Sequence, residues 1–331
     1  ALPGRCLVNG FGTLVRLALR RDRIMLPLWI AGLTLMVTFS ATATKGLYPD
    51  PADLATAAET INATASLVAL YGKVYDPTSL GAVSLIKMTA FGAALVSILF
   101  VFIVVRHSRS EEESGRLELV QAGVVGRAAP LAAAVAVGMG ASVVLGTCVA
   151  LGLGLVGLPW PGAVAFGLGW ASSGIVFTAI AAVAAQVTTS ARAAIGLGVA
   201  TVGVAYALRA LGDLAAGDPG LLSWLSPIGW SQQFRPFAGD RWWVVVLPLL
   251  AAAVLVPVAF ALRSRRDLGS GLLPDRPGPA VGSVQGVAGL AWRLQRGLLL
   301  AWLAGAALMG LALGSIASNV QGLLDSEQMR G

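Results

Sequence analysis

The sequence predicts an all-α, polytopic membrane protein: a six-span helical unit, a linker, and the first span of a second, parallel repeat. Three observations carry this. Of the 331 residues, 56% are hydrophobic and only 12% charged, against about a quarter charged in soluble domains; the mean hydropathy is +0.80. Seven apolar runs are each long enough, at about 1.5 Å per residue, to cross a hydrocarbon core roughly 30 Å thick. The chain also repeats itself. Shifted by 273, Leu17, Ala18, Arg20, Arg23, Trp29, Ala31, Gly32, Leu35 and Met36 fall on Leu290, Ala291, Arg293, Arg296, Trp302, Ala304, Gly305, Leu308 and Met309. Arg-x-x-Arg followed by Trp-x-Ala-Gly is more than apolar composition supplies by chance, and duplication is a recurrent plan in membrane proteins.

In order, residues 11–23 place Arg16, Arg20 and Arg23 on one helical face, away from Leu14, Leu17 and Ala18, as an interfacial helix on an anionic leaflet does. Span 1 is Ile24 to Ala43. Asp50, Pro51 and Gly72 mark the cap, first residue and end of an amphipathic outer helix, with Leu54, Ala58, Ile61, Ala65 and Val68 at helical spacing. It is expected to brace the spans, or alternatively to gate them. Gly81 to Val105 is span 2, Ala128 to Val156 span 3, Ala163 to Gln186 span 4, Ala194 to about Leu211 span 5, and Trp243 to Leu262 span 6. Leu158 to Gly162 is a tight turn with an interfacial Trp160, and Leu221 to Trp243, the most aromatic stretch, also reads as membrane interface. Gly269 to Gly286 is a linker without core-forming pattern, and Leu298 to Ser318 is span 7. Residues 1–266 thus form the first unit, 267–286 the linker and 287–331 the start of the second. The 41 glycines fit close helix packing in lipid.

Between spans 2 and 3 lies a charged island, Arg106 to Arg127, RHSRSEEESGRLELVQAGVVGR. Ser110 and Glu113 have the spacing of a capping box. Glu111, Glu112 and Glu113 fall in the first turn, where the helix dipole favours carboxylates. Glu112 and Arg116 are four apart in the stabilising order, and Gly123 is placed to stop the helix. The expectation is one solvated amphipathic helix of about three turns; the plain alternative is a connecting loop.

The run is similar to the cytoplasmic loop of type-2 ABC exporter permeases, above all the actinobacterial polyketide-antibiotic (tetronasin-like) efflux permease family. That family's pattern is met by Glu111, Glu112, Glu113, Gly115, Arg116, Glu118, Leu119, Ala122, Gly126 and Arg127. The segments WLSPIGW and RPFAGDRWW between spans 5 and 6 resemble the same family. The resemblance implies the permease subunit of an ATP-driven exporter of lipophilic drugs or antibiotics, with Glu111, Glu112, Glu113, Gly115, Arg116, Glu118 and Leu119 as its ATPase-coupling loop. It implies two separate ABC ATPase subunits, which hold ATP and magnesium themselves, and, as further partners, membrane lipids and a hydrophobic small-molecule substrate. A permease for lipids or envelope precursors has similar build. An ion-coupled carrier is the remaining class, but carriers bury ionisable residues near the midplane, and spans 1, 3, 4 and 6 have essentially none.

With the N-terminus inside, the inner segments carry a surplus of +9 and the outer ones −2, which make up the net +7. The positive-inside rule selects this orientation in a bacterial plasma membrane and makes Arg106 to Arg127 cytoplasmic. It also accounts for the basic balance without nucleic acid. No G-x-x-x-x-G-K-[ST] loop occurs, so no ATP binding is expected in this chain. The lone histidine, His107, excludes multi-His metal sites and Ser-His hydrolysis, and reads as a solvated residue beside arginines. No enzyme activity or resident cofactor is therefore expected. Cys6 and Cys148 are too few for a disulfide framework; Cys148 reads as buried in span 3. Lys87 and Arg209 lie close enough to span ends to snorkel outward. With Trp230 they are the candidates for a pathway or gate. The repeat leads to the expectation that the natural chain runs on for roughly 200 residues and five spans, with a second coupling loop at about position 379.

Overall fold

A computed structural model describes residues 8–48, 50–215, 220–267, 269–272 and 286–324. Among these there is no strand. The helix α1 (Phe11–Arg21) precedes α2 (Met25–Leu47), followed by the short pair α3 (Pro51–Ala63) and α4 (Ala65–Tyr71). Next come α5 (Leu80–Arg106), α6 (Arg109–Glu113), α7 (Arg116–Gln121), α8 (Ala129–Leu155), α9 (Trp160–Val187) and α10 (Ala191–Asp213). After the short α11 (Leu221–Trp224) and α12 (Pro227–Gln233), a 3-10 turn at Trp242–Val245 leads into α13 (Val246–Ser264), and α14 covers Gly286–Leu324. Six helices, built on α2, α5, α8, α9, α10 and α13, are long and apolar enough to cross a membrane, and each matches a span read from the sequence. Span 7 falls inside α14.

The centre of the bundle is α9, packed along α8, α5 and α13. Phe100, Phe166, Trp170, Phe177 and Leu145 are its large buried side chains. Close approach is achieved with small residues, as is usual where lipid supplies no hydrophobic drive between helices. A Cβ on Gly146 would lie 2.5 Å from Gly167 O, and one on Gly167 would lie 2.3 Å from Gly146 O, so α8 and α9 touch backbone to backbone. The Trp170 indole N–H donates to Met88 O at 3.1 Å, which satisfies it inside the core. α2, α10 and α13 form the periphery and bury only part of their surface.

The structure departs from the sequence reading at several points. The outer helix is broken at Thr64, whose extended backbone (φ −98°, ψ 104°) separates α3 from α4. The break lets Asn62 turn aside and exchange hydrogen bonds with the backbone of Val74, donating to its O at 2.9 Å and accepting from its N at 2.8 Å. The expected cap is present: Asp50 accepts from Ala52 N at 2.9 Å. Cys148 is half-buried rather than buried; Cys6 lies outside the described residues. Where the sequence reading aligns residues 287–331 with the start of the chain, α14 runs unbroken, whereas the chain turns at Asp22 between α1 and α2. Asp22 binds Arg106 and His107, and the position 273 further on is Gln295. Trp29 and Trp302 are both exposed.

Candidate functional site: a clamped loop at one end of the bundle

Among the described residues, polar contacts join residues 9–22, 106–127, 188–191 and 263–271 at one end of the bundle, and residues 68–75, 209–223 and 232 at the other. At the Arg109 end, α5 finishes at Arg106, and the chain enters α6 and α7 instead of one helix. Ser110 is not the cap. Ser108 precedes α6, and its hydroxyl donates backward to Val104 O at 2.6 Å. The break falls at Gly115, in the left-handed conformation at φ 73°, a position that favours glycine. The left-handed residue was expected at Gly123, eight residues later.

The reason for the break is Glu112. It was expected to be solvated and paired with Arg116; it is 7% exposed and faces inward. Its Oε1 accepts from Arg266 Nη1 at 2.6 Å and from Gly269 N at 2.8 Å. Its Oε2 accepts from Arg266 Nη2 at 2.7 Å and Arg109 Nη1 at 3.0 Å. Arg263 Nη1 stands 3.7 Å away. Arg266 also donates through Nε to Gln186 Oε1 at 2.9 Å, and Arg109 through Nε to Thr189 O and through Nη1 to Ser270 O, both at 3.0 Å. One carboxylate therefore ties α6 to the ends of α9 and α13, the α9–α10 turn and the first linker residues. Burial pushes the Glu112 carboxyl up, but the hydrogen bonds from Arg266 and the Gly269 N–H, and the charges of Arg266 and Arg109, outweigh it and hold it below the ordinary carboxylate range. The linker thus does not begin free: a Cβ on Gly271 would meet the Thr188 carbonyl carbon at 2.6 Å.

The neighbouring carboxylates are also anchors. Glu113 accepts from Ala191 N at 2.8 Å, capping the start of α10, where the dipole favours an anion. Glu111 pairs with Arg21 of α1 and, at 3.5 Å, with Arg116. His107 is not solvated: its side chain is 6% exposed and lies on buried Asp22, which Arg106 also approaches at 3.1 Å. Asn9 donates to Val124 O and accepts from Gly126 N, each at 3.0 Å, which fixes the exit of the loop. The remaining edge faces outward. Arg116 and Glu118 are exposed, Leu119 is 80% and Val124 86% exposed, while Leu117 packs inward.

At the opposite end Arg209 does not snorkel. It is fully buried, and its guanidinium donates to the final carbonyls of α4: Ala69 O at 2.8 Å, Leu70 O at 3.2 Å and Val68 O at 3.4 Å. Asp213 Oδ2 is 3.4 Å away, and Ser223 donates to Asp213 Oδ1 at 2.9 Å. The Tyr206 ring lies 4.3 Å beneath the guanidinium. Lys87 is exposed, 6.0 Å from the centre of the Tyr71 ring. Trp230 is half-buried and donates to Trp224 O at 2.6 Å. Arg209, Lys87 and Trp230 are thus apart from the loop, and only Arg209 is enclosed. The sequence reading missed Arg109, Arg263, Arg266, Gln186 and Asp22 as site residues; the signal was the run of arginines ending span 6, two of which, Arg263 and Arg266, meet Glu112.

Among the described residues, six apolar helices long enough to cross a membrane define a multi-pass helical membrane protein. Its family is narrower: residues 11–263 and 284–331 match the family described as multidrug efflux system permease Rv1217c, C-terminal domain, and the chain belongs to it. It is 46% identical over 318 residues to the multidrug efflux system permease protein Rv1217c of Mycobacterium tuberculosis (strain ATCC 25618 / H37Rv). That match takes in 94% of this chain and 57% of the relative, so the chain spans little more than half the relative's length.

Proposed function

We propose that the chain forms the membrane path of an ABC-type exporter in a bacterial plasma membrane, with its N-terminus cytoplasmic, and that it effluxes lipophilic drugs or antibiotics. ATP and magnesium are held by separate ATPase subunits, one for each coupling loop of a duplicated permease, and kinship with the tetronasin-like branch belongs to the same reading. The 46% identical relative, a multidrug efflux system permease, supports the drug-efflux part. The observation that carries the coupling part is the division of labour within the loop. Glu111, Glu112 and Glu113 grip α1, α9, α10 and α13, while Glu118 and Leu119, beyond the Gly115 turn, stand free for a partner. An exposed leucine on a rigid base offers a partner apolar area whose removal from water favours association.

The test replaces Glu118 and Leu119 together, Glu118→Lys and Leu119→Ala. Both side chains are exposed, so folding in the membrane is expected to be unchanged. Association with the ATPase is expected to weaken about tenfold, and drug efflux from cells to fall with it. Full association and full efflux by the double variant would return the loop to a passive connection.

A further inference from the structure

An open slot lies between α1, α7 and α8 at the Arg109 end. Leu14 and Leu17 of α1, Leu117 and Val120 of α7, and Ala133 of α8 line its wall. It holds about 510 Å³ of empty space, open mouth included. Arg21 and Arg116 stand at it, and both guanidiniums share a single oxygen, Glu111 Oε1. One carboxylate cannot neutralise two guanidiniums or occupy their five N–H donors each. The arginine side chains are 37% and 60% exposed, so the surplus charge is accessible. An apolar slot with a net positive mouth is complementary to an anionic amphiphile.

The position of α1 identifies the source of that amphiphile. Only Ala18 is buried along this helix, and it exposes Phe11, Leu17 and Leu19 as well as Arg16 and Arg20. A helix exposing leucines and arginines together rests in a membrane interface, with its apolar face among the acyl chains. The slot therefore opens where phospholipid is the neighbour. Basic pockets of this kind on the cytoplasmic side of helices hold anionic headgroups.

We propose that the slot is a binding site for one anionic phospholipid of the surrounding leaflet. Its phosphate sits on Arg21 and Arg116, and the upper part of one acyl chain lies against Leu14, Leu117 and Val120. The lipid then fills the space between the interfacial helix and the exposed edge of the loop, and joins α1 to α7 through its headgroup. The site does not depend on any ATPase.

Native mass spectrometry of the full chain, purified from mixed phosphatidylglycerol and phosphatidylcholine and released from detergent, tests it. Wild type is expected to retain one phosphatidylglycerol in preference to phosphatidylcholine. Arg21→Gln with Arg116→Gln is expected to lose that preference, by about fivefold for each guanidinium removed. Arg16→Gln with Arg20→Gln, which leaves the slot intact, is expected to keep it. Should the first double variant unfold, Arg116→Gln alone, at a largely exposed side chain, gives the same reading at about fivefold. Equal retention of the two lipids, an unchanged preference after loss of Arg21 and Arg116, or an equal loss from Arg16 and Arg20 would each overturn the proposal. Displacement of the lipid by glycerol 3-phosphate alone would also overturn it, because the site would then be an anion site with no role for the slot.

Discussion

Replacing Glu112 by Gln keeps the shape of the side chain and removes the charge that three buried arginines share. Arg109, Arg263 and Arg266 would then face one another without a counter-ion, and one amide oxygen would stand where a carboxylate accepts from Arg109, Arg266 and Gly269 N. Removing one partner of a buried ion pair costs about 3–5 kcal/mol, because the desolvated opposite charge is left behind. Arg109 and Arg266 keep their other hydrogen bonds, to Thr189 O, Ser270 O and Gln186, so the low end, about 3 kcal/mol, is expected. Thermal unfolding in detergent should show this loss, and hydrogen exchange should show it first in residues 262–272 and 186–190. Arg263 adds a check. Its Nη1 and Nη2 have no hydrogen-bond partner, so Arg263→Met in the Glu112→Gln background should recover part of the loss, with a coupling energy of about 1 kcal/mol or more. The dependence on pH has a definite sign. Since the folded carboxyl sits below its ordinary value, its contribution is complete above about pH 4.3 and disappears as pH falls through the lower, folded value. The gap between wild type and Glu112→Gln should be constant from neutral pH down to that range and close below it. A Glu112→Gln protein as stable as wild type at neutral pH would refute the clamp.

Three further outcomes follow from the same geometry. Arg209→Gln should free the carbonyls at the end of α4 and strand Asp213, costing about 3 kcal/mol and opening residues 50–75 to limited proteolysis; unchanged cleavage would contradict the Arg209 cage. Gly115→Ala meets open space, so its cost is conformational only, about 1 kcal/mol for a left-handed alanine, and thermal unfolding should detect that and no more. With Cys6 and Cys148 replaced, Val124→Cys should react with an impermeant thiol reagent only from the cytoplasm and Leu221→Cys only from outside; the reverse pattern would invert the orientation.

The spans were readable because a crossing is specified locally: about twenty apolar residues between polar ends admit little else. The ends of the first six spans agree to within a few residues, as at Gly81–Val105 against Leu80–Arg106. The break of the loop at Gly115 was not readable from its own residues. Capping, charge spacing and periodicity around Ser110 to Gly123 all favour a single solvated helix, and they are outweighed by partners of Glu112 that lie 154 and 157 residues away in the chain. The kink at Thr64 has the same origin on a smaller scale, since Asn62 is drawn to Val74, 12 residues on. Arg209 looked exposed because it sits near a span end; only the folded position of α4 turns that end into an enclosure.

The backbone contact between Gly146 and Gly167 fixes where this bundle can change shape. Where the two backbones touch there is no rotamer to exchange and no side-chain layer to shear, so α8 and α9 are pinned at that crossing and are expected to travel together. Any widening between spans must then open along seams where longer side chains interleave, such as those bordering α2, α10 or α13. A single methyl group added at either glycine would wedge the two helices apart, so both positions should be intolerant of alanine even though nothing but helix surrounds them.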